Sequence, residues 1–280
     1  MIDLYTRRRW TNRLTMGAAA LATLFGLFWL AWLLFTLCVN GIGHLSWSVF
    51  SQPTPSPKGE GGLYNAIIGS LIVTGLGTAI GAPIGILAGT YLAEYGRDSR
   101  LAAVVRFFND VLLAAPSIVL GLFIYQLVVV QIGHFAAFAG GVALALIVIP
   151  VTLRLTENMM RLVPDRMREA AAALGVPRWK VITHIVYRAA KAGIATGVLL
   201  GVARIAGETA PLLFTALNNR FTSYDLWSPI ANLPIMIFRF ALSPYEGWNQ
   251  LAWVGAFLIT FAILGLNIFT RVVLRHSASE

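Results

Sequence analysis

A chain of 280 residues that is 58% hydrophobic and only 12% charged, with a mean hydropathy of +0.74, is excluded from the ordinary soluble domains and must bury apolar surface in lipid. A net charge of +9 would suggest nucleic acid in a soluble protein, but the basic residues gather at span ends, which excludes that partner. The one cysteine, Cys38, rules out an intramolecular disulfide; inside an apolar run and without metal-ligand spacing it reads as a small buried hydrophobe.

Six transmembrane helices are predicted in chain order, so the expected fold class is all-α integral membrane. A basic tail, 1–15, carries Arg7, Arg8, Arg9 and Arg13. It precedes a charge-free span at 16–39, long enough for a hydrocarbon core of about 30 Å. Basic residues before an apolar run also mark signal peptides, but this run exceeds a normal h-region and further spans follow, so the helix is read as retained. Residues 40–62 form an outer loop in which Pro53, Pro55, Pro57, Ser51, Ser56, Gly59 and Gly61 block regular structure. The second span is placed at 63–92, where Gly77, Gly81, Gly85 and Gly89 make a four-residue ladder that reads as a packing face.

No Lys, Arg, Asp or Glu occurs in 111–153, a stretch too long for one helix. Gln131-Ile132-Gly133-His134 supplies the turn between spans three and four. Pro83 and Pro116 are expected to kink their helices. The fifth span is placed at 193–217 and the sixth at 251–270, with a short tail at 276–280. Between the last two lies an outer loop, 218–249, whose Trp227, Pro229, Pro234 and Pro244 suit either contact with another protein or a partly re-entrant segment. Trp10, Trp47, Trp227 and Trp248 sit near span ends as interfacial anchors.

Orientation follows from the basic residues. With the N-terminus inside, the inner segments hold Arg7 to Arg13, Arg97, Arg100, Arg106, every basic residue from Arg154 to Lys191, Arg271 and Arg275. The outer ones hold only Lys58, Arg220 and Arg239. This is the positive-inside asymmetry, and it places both termini in the cytoplasm.

The charged segment 154–191 therefore faces the cytoplasm. Pro164 and Asp165 are suited to start a helix, with Asp165 as N-cap; Gly175 ends it, and Pro177 opens the next. The helix is about 15 Å long. Ala170 and Ala171 allow close approach to its backbone, while Arg168 and Glu169 offer polar contacts. Either it docks another protein or it is a solvated loop. A DNA-reading helix-turn-helix fits poorly, because both ends are tied to the bilayer.

In span five, Arg204 lies about 16 Å along the helix from Gly193, near mid-bilayer. There it costs at least about 2.5–3.5 kcal/mol, so it should face protein or a wet cavity. On a continuous helix Gly193, Gly197, Gly201, Arg204, Glu208, Pro211 and Thr215 share a stripe of roughly 80°. The glycines form a double G-x-x-x-G for close packing. Arg204 and Glu208 are then either a structural i, i+4 ion pair or part of an anion pathway. For a pathway, Arg204 donates to an oxyanion and ionised Glu208 only accepts. Phosphate near neutral pH keeps an O–H to give that carboxylate and sulfate does not, so the pair would favour phosphate.

The segment Glu169-Ala170-Ala171-x-x-x-Gly175, followed after nine residues by Ile185, resembles the EAA motif of binding-protein-dependent ABC importer permeases. The family's closing Ile-x-Leu-Pro is replaced here by Ile185-Val186-Tyr187-Arg188. Ala203-Arg204-Ile205-Ala206-Gly207-Glu208-Thr209-Ala210-Pro211-Leu212 resembles the signature of phosphate-specific transport permeases, with Thr209-Ala210-Pro211 nearer the A-type subunit than the C-type. Tyr91-Leu92-Ala93-Glu94-Tyr95-Gly96 and Pro116-Ser117-Ile118-Val119-Leu120-Gly121-Leu122-Phe123 agree with it.

The resemblance implies a type I ABC importer permease fold over about 63–275 in a bacterial or archaeal plasma membrane. A coupling helix at about 165–175, presenting Arg168, Glu169, Ala170, Ala171 and Gly175, would seat in an ATPase cleft. It also implies a pathway through Arg204, Glu208, Thr209 and Thr215. The implied partners are a C-type permease subunit, two copies of a cytoplasmic ATPase and an extracytoplasmic phosphate-binding protein. No G-x-x-x-x-G-K-[ST] occurs, so ATP and magnesium would be held by the partner. The alternatives are a permease for sulfate, molybdate or phosphonate, or a passive anion channel. A membrane enzyme needs a constellation of catalytic groups or metal ligands, and none is found in the spans.

Overall fold

The structure, a computed structural model, describes residues 4–57, 59–97 and 99–276, with side chains as far as 269; Lys58 and the expected tail beyond His276 lie outside the described residues. Its regular elements are helical. α1 (Leu4–Gly43) starts within the expected basic tail, because 4–15 contains neither Gly nor Pro to stop a helix. At about 60 Å it is twice the hydrocarbon thickness. It packs against the last helix, with Leu37 and Gly41 buried and Gly41 set against Phe257. The Pro-rich loop contains one helical turn, α2 (Ser48–Ser51), and is fastened by Asn65, whose Oδ1 accepts from the Thr54 N–H at 3.1 Å and the Thr54 hydroxyl at 2.8 Å.

α3 (Tyr64–Tyr95) and α6 (Ala137–Arg161) form the centre of the bundle. Gly77, Gly81, Gly85 and Gly89 lie along α6: a Cβ on Gly81 would stand 2.9 Å from the Ala145 carbonyl oxygen, and one on Gly89 2.6 Å from that of Leu153. The backbones touch because the side chains are missing. Pro83 stays inside α3, on its exposed side.

The third span departs from the reading that began it at 111. It starts at Arg100 and is broken: α4 (Arg100–Ala114) and α5 (Ser117–Ile132) are bent by 106°. Pro116 supplies no N–H and drives Ala115 to an extended ψ of 133°, so the kink expected at Pro116 is a full break. Gly133, at φ +78°, makes the turn into α6.

The fifth span also departs from 193–217. α8 (Arg178–Ala206) begins in the basic segment and stops at Gly207; the short α9 (Ala210–Leu213) follows. The helix expected to open at Pro177 does so, and it runs without a break into the span that was placed at 193, because nothing after Pro177 interrupts it. Its exposed Arg188 and Lys191 are long side chains suited to the bilayer edge.

Beyond α9 the chain folds back onto the bundle. Carbonyls of Thr215, Ser228 and Leu226 accept from the N–H groups of Ala136, Ala137 and Phe138 at 2.8–3.0 Å, satisfying the otherwise orphaned N-terminus of α6. Ile230, Ala231 and Asn232 are buried, and α10 (Leu233–Ala241) packs on α11 (Glu246–His276) and α3. Trp248 stacks on Phe240 at 4.6 Å. With the bent pair taken as one crossing, six helical segments among the described residues are long and apolar enough to span a membrane.

Candidate functional site: an exposed short helix and two broken spans

The short helix expected at 165–175 is α7 (Asp165–Ala173). Its N-cap is Pro164, not Asp165, because Pro164 keeps an extended ψ of 137° and Asp165 is the first helical residue. There the carboxylate faces the helix N-terminus and the Arg97 guanidinium, which binds it at 3.0 and 3.3 Å. That hydrogen bond, then the Arg97 charge and, against a small opposing desolvation, the Arg168 charge, hold the Asp165 carboxyl below its ordinary value. At the other end Gly175, at φ +74°, closes a Schellman motif: the Gly175 N–H bonds the Ala172 carbonyl at 2.9 Å and the Val176 N–H that of Ala171 at 3.2 Å.

This folding sorts the named residues. Ala171 is buried among Val163, Val181 and Ile182. Glu169, Ala170, Ala172 and Ala173 are exposed, and Leu174 is 84% exposed. Arg168 does not join that surface, as the sequence reading had it. Its guanidinium turns inward onto Glu94, at 2.6 Å from Nη2 to Oε1, and donates to the carbonyls of Met160 and Val163. Beside it opens a cleft of about 610 Å³ between the end of α3 and the starts of α7 and α8.

The second region lies where two spans break. Leu112 and Ala115 before the α4–α5 break, Leu120 after it, and Ile205 and Leu212 on either side of the Gly207 break all join one core cluster with Leu144, Ile147 and Val148 of α6. Gly121 rests on Pro211, where an added Cβ would fall 2.5 Å from the Pro211 Cα. Interrupted helices side by side free backbone groups at one level, an arrangement tolerated in a membrane only within protein or beside water.

The predicted stripe does not survive this geometry. Gly193, Gly197 and Gly201 face Met159, Leu155 and Val148 of α6. Arg204 occupies the last turn of α8 and is exposed, while Glu208 lies past the helix end, its N–H bonding the Ile205 carbonyl at 3.1 Å. The i, i+4 ion pair is therefore absent. Among the described residues neither side chain has a hydrogen-bond or ion-pair partner. Thr209 precedes α9, and the buried Thr215 hydroxyl is spent on the Pro211 carbonyl at 2.8 Å, so Thr215 has no free donor for a ligand.

Two buried carboxylates escaped the sequence reading. Glu94 serves Arg168, and Glu157 accepts from Arg106 at 3.0 Å and Arg161 at 2.7 Å, tying α4 to α6. A lone acid at the end of an apolar run was the available signal for each.

A bundle of apolar helices with an exposed alanine-rich helix between two spans, and broken spans at mid-bundle, defines a multi-pass membrane transport subunit. The chain belongs to the family described as Binding-protein-dependent transport system inner membrane component, which matches residues 81–279. It is 58% identical over 269 residues to the phosphate transport system permease protein PstA of Haemophilus influenzae (96% of this chain, 95% of that one). To the protein of the same name from Pasteurella multocida it is 60% identical over 265 residues, 95% of each chain. The bundle is also similar to inward-facing structures of the MetNI methionine ABC transporter, with a TM-score of 0.59 at 16% identity over 77% of this chain and 94% of that one, a likeness of fold.

Proposed function

We propose that this chain is the permease subunit through which an ATP-driven importer moves inorganic phosphate into the cell. The observation that carries the reading is its near full-length identity to phosphate transport permeases, combined with an exposed Arg204 and a Glu208 lacking protein partners at the level where two spans break. An exposed arginine within a span must meet a protein or a wet cavity. A second permease subunit of the C type facing α8 and α5 provides both, and encloses a pathway between the two chains. There Arg204 donates to phosphate oxygens, and Glu208 accepts the proton that phosphate retains and sulfate lacks.

Power comes from outside the chain. The exposed row Glu169, Ala170, Ala172, Ala173 and Leu174 seats in a cleft of one of two cytoplasmic ATPase subunits, which bind ATP and magnesium. That puts both termini and α7 in the cytoplasm, in line with the basic bias. An extracytoplasmic binding protein delivers phosphate to the opposite end, and ATP binding closes the ATPase pair so that access alternates. The chain itself carries no catalytic residue in this scheme. The test is phosphate uptake into vesicles holding the complete set of partners. Uptake should require ATP and disappear when residues 165–175 are deleted; uptake that proceeds without ATP or survives the deletion refutes it.

A further inference from the structure

The reading above leaves open how displacement of α7 reaches the rest of the bundle. The covalent route consists of the short links 162–164 and 174–177, which tie α7 to α6 and α8 but not to α3. Besides the apolar packing of Ala171 on Val163, Val181 and Ile182, α7 is joined to α3 by a polar route centred on one buried carboxylate. Glu94 is 6% exposed, in the π-helical last turn of α3 that buries Leu92, Ala93 and Glu94 in succession. Its carboxylate takes three contacts from the Arg168 guanidinium, at 2.6, 3.1 and 3.3 Å. The same guanidinium donates to the Met160 carbonyl at 2.8 Å and to that of Val163, at the end of α6. Arg168 thus grips α3 and α6 together.

Two further arginines close the joint from the flanks. Arg178, the first residue of α8, donates to the Glu94 backbone carbonyl and lies 4.6 Å from the Tyr95 ring. Arg97 holds Asp165 at the start of α7. Behind this joint α3 and α6 are packed backbone to backbone along the glycine ladder, a seam suited to transmitting displacement as one body.

We propose that Glu94 is a positioning residue for transport, the point at which the motion of α7 is passed to α3 and α6, and that the Glu94–Arg168 pair sets how much phosphate moves per ATP hydrolysed. The inference rests on the importer reading and is read out separately from it. A loose joint leaves α7 seated on the ATPase through its exposed alanines while its motion is lost before the pathway. Hydrolysis then continues without transport, which a general loss of stability would not produce.

The experiment reconstitutes the complete complex in vesicles and measures phosphate uptake and ATP hydrolysis in parallel, with co-purification of the ATPase as the assembly check. Wild-type vesicles test the importer reading alone: if their uptake is independent of ATP, that reading fails whatever Glu94 does. Glu94→Gln is expected to lower the uptake-to-hydrolysis ratio about tenfold, within the usual range of a coupling between sites. Glu94→Asp should lower it less, and Arg168→Lys, which keeps the charge but loses the fork, should fall between them. Double reversal, Glu94→Arg with Arg168→Glu, should recover part of the ratio. A ratio unchanged in the assembled variants, or loss of assembly in all of them, overturns the proposal, since the pair would then be inert or merely structural.

Discussion

Glu208 and Glu94 show how differently a carboxylate behaves according to what surrounds it. Glu94 is enclosed and fully engaged by a guanidinium, whereas Glu208 stands past a helix end with no partner among the described residues. On the function proposed above, an unengaged acceptor bears on cargo, because it rewards an anion that still carries a proton. Replacing Glu208 by Gln adds an N–H donor and removes the charge, so sulfate ceases to be repelled. In competition uptake assays, Glu208→Gln should narrow the preference for phosphate over sulfate by about tenfold, the net worth of one hydrogen bond of about 1.4 kcal/mol. Unchanged selectivity with transport intact would remove Glu208 from the recognition of substrate. Neither side chain's setting was legible in the sequence. The stripe through Arg204, Glu208 and Thr215 assumed a continuous helix, and the chain turns at Gly207 before the stripe is complete. Glu94 finds its partner 74 residues away, a distance over which periodicity is silent.

At the scale of elements, the α3–α6 contact separates glycines that matter from those that do not. A Cβ on Gly89 would meet the Leu153 carbonyl at 2.6 Å, a backbone atom that cannot step aside, while one on Gly75 meets nothing within 4 Å. Gly89→Ala should therefore destabilise the detergent-solubilised protein by about 1–3 kcal/mol through overpacking. Gly75→Ala should be neutral or stabilise it by up to about 1 kcal/mol through helix propensity. Equal shifts in unfolding midpoint for the two would contradict the packing described. This ladder was readable because a four-residue repeat of glycine has few uses in a span. The break between α4 and α5 was harder to place, since 111–153 carries no Lys, Arg, Asp or Glu and Pro116 alone marks where it bends.

The α7 start makes a second prediction at this scale. Arg97 holds the Asp165 carboxyl below its ordinary value of 3.8, so the unfolded chain takes up a proton at higher pH than the folded one. The link's contribution is thus complete above the unfolded value and is lost as pH falls through the lowered folded one. Unfolding midpoints of wild type and Asp165→Asn, compared between about pH 3 and 6, should differ by a constant amount above the ordinary carboxylate range and converge below it. A difference that grows on acidification would show that the pair does not favour the ionised form.

At the scale of the molecule, the placement of Arg204 decides between a conduit within one chain and a conduit between two. The centre of this bundle is filled: α6 is the most buried of its spans, and Ile147, Val148, Ile205 and Leu212 occupy the level at which the helices break. Arg204 instead looks outward from α8. Among the described residues the level of the breaks is filled by apolar side chains, and on the function proposed above the cationic surface becomes a path when a second permease subunit covers it. The passive-channel alternative requires the reverse, a pore complete in one chain or in copies of it. Purified alone and reconstituted into vesicles at a known copy number, this chain should give phosphate flux no greater than protein-free vesicles, with or without ATP. Co-reconstitution with a C-type subunit, the ATPase and the binding protein should raise ATP-dependent uptake at least about tenfold above that background, a difference of roughly 1.4 kcal/mol in the barrier. Flux through the lone chain that is abolished by Arg204→Gln would place the path inside one protomer, and would overturn the two-chain pathway together with the role given to the exposed face of α8.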